Sequence, residues 1–427
     1  MLTPHLIYGP SQSDVDTSAT LNNGAVLRWS SGIGKWIVET VSLNLGYGTA
    51  NANPNVVNVG LANATGSQGT GSMTFGFSAG DNQGQNAMAI GYQTGFRQND
   101  YTVAIGMLAA GDNTDLVGQG NFAVALGYQA GYTTQGNSCL ALGQYAGQTN
   151  QGAYSTAIGA QAGQTSQAAN STAIGSSAGN SGQMSYCLAL GNNAAWSNQN
   201  SFSTAIGNFS AYKDQGQSCV AIGYKAAGYG STGPDTLPNQ GQQSISVAIG
   251  AFTGYQLQGQ QSVAVGAFAA QTLQGNFATA IGSSAALTNQ GAEAVAVGNR
   301  AGGGTQGTGA VAVGTRAGDT NQGAKSVALG YYAGQKSLGS NSIAIGNLAN
   351  TNTAAAAAIG NTICLNATGV EINPTQTGSC LIKPIRDFSG SAAPVVQRTV
   401  TQTIIPANCK LLAYNLLTGE LLSIDSV

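Results

Sequence analysis

A chain of 427 residues in which only 7% are charged and 63 are glycine lacks an ordinary enzyme's composition, and its 42% apolar content sets it apart from disordered chains. Its formal net charge is −2 and no cluster of Lys and Arg stands out along it, so nothing draws in nucleic acid. Glycine does not recur at every third position, which excludes a collagen-like helix.

Residues 1–40 begin Met-Leu-Thr-Pro-His, with neither a basic start nor the apolar core of a signal peptide, and no apolar run approaches a membrane span. The expectation is a protein without a secretory leader or membrane insertion that reaches the outside of a cell by assembly onto a particle or by lysis. Two short apolar runs, ending Leu27-Arg28-Trp29 and starting Lys35-Trp36-Ile37, flank a Ser/Gly-rich turn. They predict a β-hairpin with Trp29 and Trp36 near its two arms. The pattern resembles segments near the start of phage and large-virus tail-fibre proteins, which implies attachment to a particle. A hairpin that caps the first coil of a repeat array is the other reading.

From 41 to 360 the chain repeats. Ser-Val-Ala-Ile-Gly at 246–250 returns as Ser-Val-Ala-Val-Gly at 262–266 and in related forms throughout. The closing glycine acts as a ruler: from Gly46 to Gly360 the gaps are 14, 16, 15, 15, 21, six of 16, 27, six of 16 and 14. Such a period marks a solenoid of stacked coils, about 20 here. The second residue before the ruler is Ala from Ala89 to Ala358, and the fourth is small, as in Ser155, Ser171, Cys139, Cys187 and Cys219. The first and third are mostly Ile, Leu, Val or Thr. Strand side chains alternate between faces, so one face is small and the other branched, and apolar character on both predicts that both are buried. A coil's own second strand covers one face; the simplest cover for the other is a further copy of the chain. The branched face is placed inside the protomer and the Ala/Ser face toward its neighbours.

Ala-Gly or Ala-Ala three and four residues after the ruler suits a second short strand ending in a tight turn, as at Ala146-Gly147. Gln-Gly follows at eight and nine, as at Gln151-Gly152 and Gln290-Gly291. Stacked coils would align these glutamines into a hydrogen-bonded ladder. The repeated pentad, the Ala-Gly and the polar turn at this spacing together resemble the YadA-type head of trimeric adhesins, over roughly three-quarters of the chain. The resemblance implies a left-handed parallel β-roll built as a homotrimer, intertwined or side by side, that binds a surface. With no signal peptide and no C-terminal barrel anchor expected, it points to a virus or phage fibre rather than a bacterial autotransporter.

Two gaps are long. One holds Asp112 and Asp115; the other holds Tyr229, Asp235, Leu237 and Asn239. Solenoid insertions map to surface loops, so these residues are the candidate receptor contacts. Tyr92, Tyr128, Tyr224, Phe252, Phe268 and Tyr331, just after ruler glycines, could offer stacking faces to a glycan; tolerated drift in the loops and packing of the rings between subunits are the alternative. After Gly360, residues 361–427 read as short strands with a last hairpin turned near Leu416 to Gly419. Ile382-Lys-Pro-Ile-Arg followed by Leu-Ala-Tyr-Asn resembles a C-terminal block of fibre proteins in large DNA viruses and phages, implying a trimerising cap or an anchor.

Catalytic chemistry is not expected. His5 is the single histidine and lies outside the repeats, no Cys/His pairs have zinc spacing, and Asp and Glu total 15 and nearly avoid the coil slots. No cofactor or metal is expected. Cys139, Cys187 and Cys219 are whole coils apart, too far to pair, and read as small buried apolar groups. Cys364, Cys380 and Cys409 could pair in ways the sequence leaves open. The functional expectation is a homotrimeric fibre on a virion surface that attaches to a host glycan or protein receptor, with other virion proteins at one end. A secreted bacterial adhesin and a structural rod or coat without a receptor are the alternatives. Ice binding is disfavoured, because threonine fills the third slot before the ruler only at Thr156, Thr172, Thr204 and Thr279.

Overall fold

The computed structural model describes residues 26–30, 35–39, 43–45, 56–60, 67–111, 118–228, 241–351, 359–383, 411–414 and 421–424. Among them there is no helix; the protein is an all-β parallel solenoid with a repeat of about 16 residues, as the pairing of Thr156 with Thr172 shows. The chain divides into two compact units, Met1–Tyr186 and Cys187–Val427.

In the first unit, Val26–Ser30 and Lys35–Glu39 form the expected antiparallel hairpin, with Trp29 opposite Trp36. A parallel ladder of three-residue strands then runs from Leu43–Leu45 to Thr172–Ile174, each strand in register with the next. Opposite it, Thr149–Gln151, Thr165–Gln167 and Ser181–Gln183 build a smaller parallel sheet. A coil is thus a three-residue strand and, on the opposite side, a second short strand or a single parallel bridge such as Gln119 with Gln135, joined by two tight corners. The corners hold residues with positive φ, Tyr145, Gly147 and Tyr154 in one coil, and Asn150, inside the second strand, has a positive φ too.

The space between the two sheets is narrow, and this decides which face is inside. Ala89, Ala104, Ala125, Ala141, Ala157 and Ala173 are fully buried. A β-carbon added to Gly147 would lie 3.3 Å from the Ala141 β-carbon and 2.5 Å from Gln151 Oε1. No branched side chain fits such a gap, so the expected orientation is reversed: the Ala/Ser face lines the protomer and the Val/Ile/Leu face looks out. The column starts polar at Asn58 and Thr74, and there the Thr74 hydroxyl donates to Asn58 Oδ1 at 2.6 Å.

The glutamine ladder forms, and it is interior. Gln83, Gln98, Gln119, Gln135, Gln151, Gln167 and Gln183 are buried, and each Nε2 donates to the next Oε1 at 2.7–3.2 Å. Most also donate to a backbone carbonyl, as Gln151 does to Leu140 at 3.0 Å. Amides satisfied this way are tolerated in a core that would penalise them unpaired.

The second unit repeats the arrangement, its ladder running from Leu188–Leu190 to Cys380–Lys383. Its glutamine rungs join Gln199 to Gln215 to Gln242 and Gln274 to Gln290 to Gln306 to Gln322. The rungs are broken at Gln258, where the Oε1 atoms of Gln258 and Gln274 have no partner. Leu338, fully buried in the next glutamine slot, ends the series. The last ruler position differs from expectation. Ile359 and Gly360 are not in a strand; Ile343–Gly346 pairs instead with Ile363–Asn366, which puts Asn366 opposite Gly346. The ladder then carries on to Cys380–Lys383. Leu411–Tyr414 and Leu421–Ile424 pair as the expected final hairpin.

Candidate adhesive surface

Because alanine fills the inside, the residues that would normally make a core lie on the outer face. In the first unit Leu126 and Leu142 are 38% and 37% exposed; in the second, Ile281 and Leu329 are 41% and 42% exposed. Beside these strands runs a column that the sequence pattern alone did not single out, eleven residues after the ruler in regular coils. It holds Tyr101, Phe122, Tyr154 and Tyr186 in the first unit and Phe202, Ile245 and Phe277 in the second, all exposed. The residues sit at a corner with positive φ, where Asn170 and Gly309 stand in other coils. Large apolar side chains in a conformation that favours Gly and Asn are uncommon. Their shared offset from the ruler is the signal that could have found them.

The aromatics that the sequence did single out mostly turn their faces to one another. Tyr92 stacks on Phe77 with centroids 5.4 Å apart, and Tyr128 meets Tyr145 edge-on at 5.1 Å. Phe252 stacks on Phe268 at 5.3 Å and meets Tyr224 edge-on at 5.2 Å. Lys225 Nζ lies 5.5 Å from the Tyr224 ring centre and 5.6 Å from that of Phe252. Rings in consecutive coils stack along the coil axis, which spends their faces on ring neighbours rather than on a ligand.

The candidate receptor contacts Asp112, Asp115, Tyr229, Asp235, Leu237 and Asn239 lie outside the described residues. Next to the longer insertion, a cavity of about 600 Å³ is lined by Asn200, Asp214, Gln242, Gln243, Ser244 and Gln260, among others. Asp214 there accepts from Asn198 Nδ2 at 2.9 Å.

Cys139, Cys187 and Cys219 point inward, their thiols against the carbonyls of Gly152, Asn200 and Gln243 at 2.8–2.9 Å. Burial pushes the Cys187 and Cys219 thiols up from their ordinary range and Cys364 up to about 11. Cys364 and Cys380 are both unpaired: the register sets Cys364 beside Leu381 in the inner column and Cys380 beside Ile363 in the outer one. Cys409 lies outside the described residues. Among the described residues, no three His, Cys, Asp or Glu side chains are grouped to hold a metal, and no helix is long and apolar enough to cross a membrane. No family model matches the chain, and no curated protein and no solved structure matches it.

Proposed function

We propose that the chain is a structural, non-enzymatic fibre or spike with a YadA-like coil, assembled as a homotrimer on a virion surface and serving to attach the particle to a host cell. One observation carries the reading: in each unit the outer face of the ladder carries part-exposed branched side chains beside a corner column in which some coils expose a large apolar residue, Tyr101, Phe122, Tyr154 and Tyr186 in the first unit and Phe202, Ile245 and Phe277 in the second. Exposed apolar surface that recurs along a ladder is the kind that marks an interaction site. The two edges of the surface differ, aromatic on one side and branched strand on the other. A patch with two unlike edges suits head-to-tail packing, which closes into a ring when the rotation between copies permits it. Three copies side by side around one axis would cover it and leave the opposite corners free to meet a receptor. Other virion proteins would hold one end.

Sedimentation equilibrium tests the assembly. The expected mass is three times that of the chain, and Phe122→Glu combined with Ile281→Glu is expected to shift it toward the monomer. A monodisperse monomer of the unaltered protein would overturn the proposal. Binding of the labelled assembly to host cells, reduced when residues 229–239 are deleted, supports the attachment role. An intact trimer that binds no cell surface would leave a structural rod or coat.

A further inference from the structure

Coil stacking gathers charges that are scattered along the sequence. Residues 300–336 contain Arg300, Arg316, Lys325 and Lys336 but a single acid, Asp319, in a chain whose net charge is −2. Arg300 and Arg316 follow their ruler glycines by two residues, in consecutive coils whose strands pair directly. Asp319 lies against both with its side chain 7% exposed: Arg300 Nε is 3.5 Å from Oδ1 and Arg316 Nε is 4.0 Å from Oδ2. The preceding coil makes room with Gly303, where a β-carbon would fall 2.8 Å from Asp319 Oδ1. In other coils of the unit the Asp319 slot holds Trp196, Tyr212 or Tyr255.

One nearly buried carboxylate therefore lies within ion-pair distance of two guanidinium groups that remain 47% and 36% exposed, while its buried Oδ1 has no hydrogen-bond partner. One positive charge is left over. The Arg316 guanidinium also lies over the Tyr332 ring, 5.4 Å from its centre. Tyr331, 54% exposed, meets Tyr332 at 4.3 Å and 61°, so its faces are not stacked on that ring as Phe252 and Phe268 are stacked on each other. The neighbouring Tyr332 hydroxyl pushes the Tyr331 hydroxyl up from its ordinary range.

We propose that Arg300, Arg316 and Tyr331 form a binding site for a saccharide bearing a carboxylate or a sulfate. Two guanidiniums one coil apart can bracket a single anionic group, and planar N–H forks match its oxygens. The Asp319 charge draws both side chains toward one place before the ligand arrives, which lowers the entropy lost on binding. The tyrosine adds an amphipathic ring whose apolar body suits the C–H face of a sugar. The biological use of the site rests on the proposed attachment role, but the binding chemistry does not.

The test uses the full chain with four probes: sialyllactose for the carboxylate, a sulfated lactosamine for the sulfate, lactose as the neutral sugar and an oligoglutamate peptide. Titration is expected to show at least one charged sugar bound about tenfold or more tighter than lactose, with the advantage shrinking as salt is raised. The sugar preferred identifies the anionic group. Arg300→Gln with Arg316→Gln is expected to abolish that preference, Arg97→Gln to leave it unchanged, and Tyr331→Ala to weaken both charged sugars. Asp319→Asn adds positive charge yet is expected to weaken binding, because the two guanidiniums lose the charge that draws them together; circular dichroism checks that each variant folds. Lactose bound as well as the charged sugars, a double variant that keeps its preference, or the peptide bound as tightly as the sugar would each overturn the proposal. Cell binding separates the two readings. Adhesion that survives Arg300→Gln with Arg316→Gln and enzymatic removal of acidic glycans leaves attachment standing and denies this site a part in it. Charged-sugar binding without cell adhesion keeps the site and removes the attachment role.

Discussion

Replacing Gln290 by leucine and, separately, Gln322 by leucine should have unequal costs, although the two glutamines fill the same slot in neighbouring parts of one unit. Gln290 Nε2 donates to Thr279 O at 2.9 Å, to Ala294 O at 3.2 Å and to Gln306 Oε1 at 3.2 Å. Gln322 Nε2 makes the two equivalent carbonyl bonds, to Val311 O at 2.8 Å and Ser326 O at 3.4 Å, but the next rung is Leu338. Either substitution deprives the preceding glutamine of one acceptor and leaves it two carbonyls. Either leaves a strand carbonyl without its amide donor and gains the same leucine. Only the Gln290 change also strands a buried acceptor, Gln306 Oε1. Leaving such an atom unsatisfied costs about 1–3 kcal/mol, so Gln290→Leu should be the more destabilising by that amount. Native-state amide exchange reads the difference coil by coil in a repeat protein whose overall melting is not two-state. Amides in the strands around residue 290 should lose protection about 5- to 150-fold more than those around residue 322 lose in the other variant. Equal losses would mean that the rungs are not what satisfies these amides.

Gly314→Ala should be costly, by about 1–3 kcal/mol or more, because φ is +124° and the new carbon would meet Gly330 O at 2.5 Å. Gly309→Ala, where φ is +65° and the nearest atom is Lys325 Cγ at 3.8 Å, should cost about 1 kcal/mol; comparable exchange losses in the two variants would refute the steric account. In a Cys409→Ser background at mildly alkaline pH, a thiol reagent should label Cys380 and spare Cys139, Cys187, Cys219 and Cys364 until the protein unfolds. Cys364 labelling as fast as Cys380 would contradict its inward placement and its raised thiol. The Glu371 carboxyl is held below its ordinary value, first by the Thr351 hydroxyl and then by Asn373. A group depressed in the folded state contributes stability above its unfolded value and loses it as pH falls through the folded one. Protection of residues 363–383 should therefore drop modestly on acidification below the usual glutamate range, since the group is exposed. Glu371→Gln should remove that dependence.

The period, the glutamine rungs and both terminal hairpins were legible because each depends on local spacing; the second strand was expected to end at Ala146-Gly147, but that pair forms the turn and the strand, Thr149–Gln151, follows it. Which face is inward was not legible from alternation, since both faces are apolar. Volume decides it: the inner Ala141 must share its layer with Gly147 and Gln151, and three slots that are small or amide leave no place for isoleucine. Taken together, the Ala, Ala-Gly and Gln slots hold that information; taken strand by strand, they do not. The twentieth strand was misplaced because Ala-Ile-Gly at 358–360 imitates the ruler. The strand that pairs is Ile363–Asn366, with Cys364 beside Ala344 in the inner column and asparagine where glycine was expected. The Arg300, Arg316 and Asp319 group escaped a linear reading because its members are 16 and 3 residues apart and meet only when coils stack.

The inverted faces also bear on how assembly should depend on length. A coil filled with alanine and one glutamine gains little from its own apolar burial, so the larger hydrophobic gain stays unclaimed on its outer face. For an isoleucine exposed to the 41% of Ile281, covering that exposed part removes roughly 70 Å² from water, worth about 1.5 kcal/mol per coil at about 20–25 cal/mol/Å². Association costs about 4–15 kcal/mol before any surplus appears. On that balance, pieces of fewer than about three coils should stay monomeric, and association should become effectively irreversible within a few coils above a threshold of about three to ten. Solenoids tolerate shortening from their ends because each repeat contacts only its neighbours. A truncation series followed by sedimentation therefore tests the outer face directly: a sharp length threshold is expected. Association that is independent of coil number, or carried by residues 361–427 alone, would show that something other than this face holds the copies together.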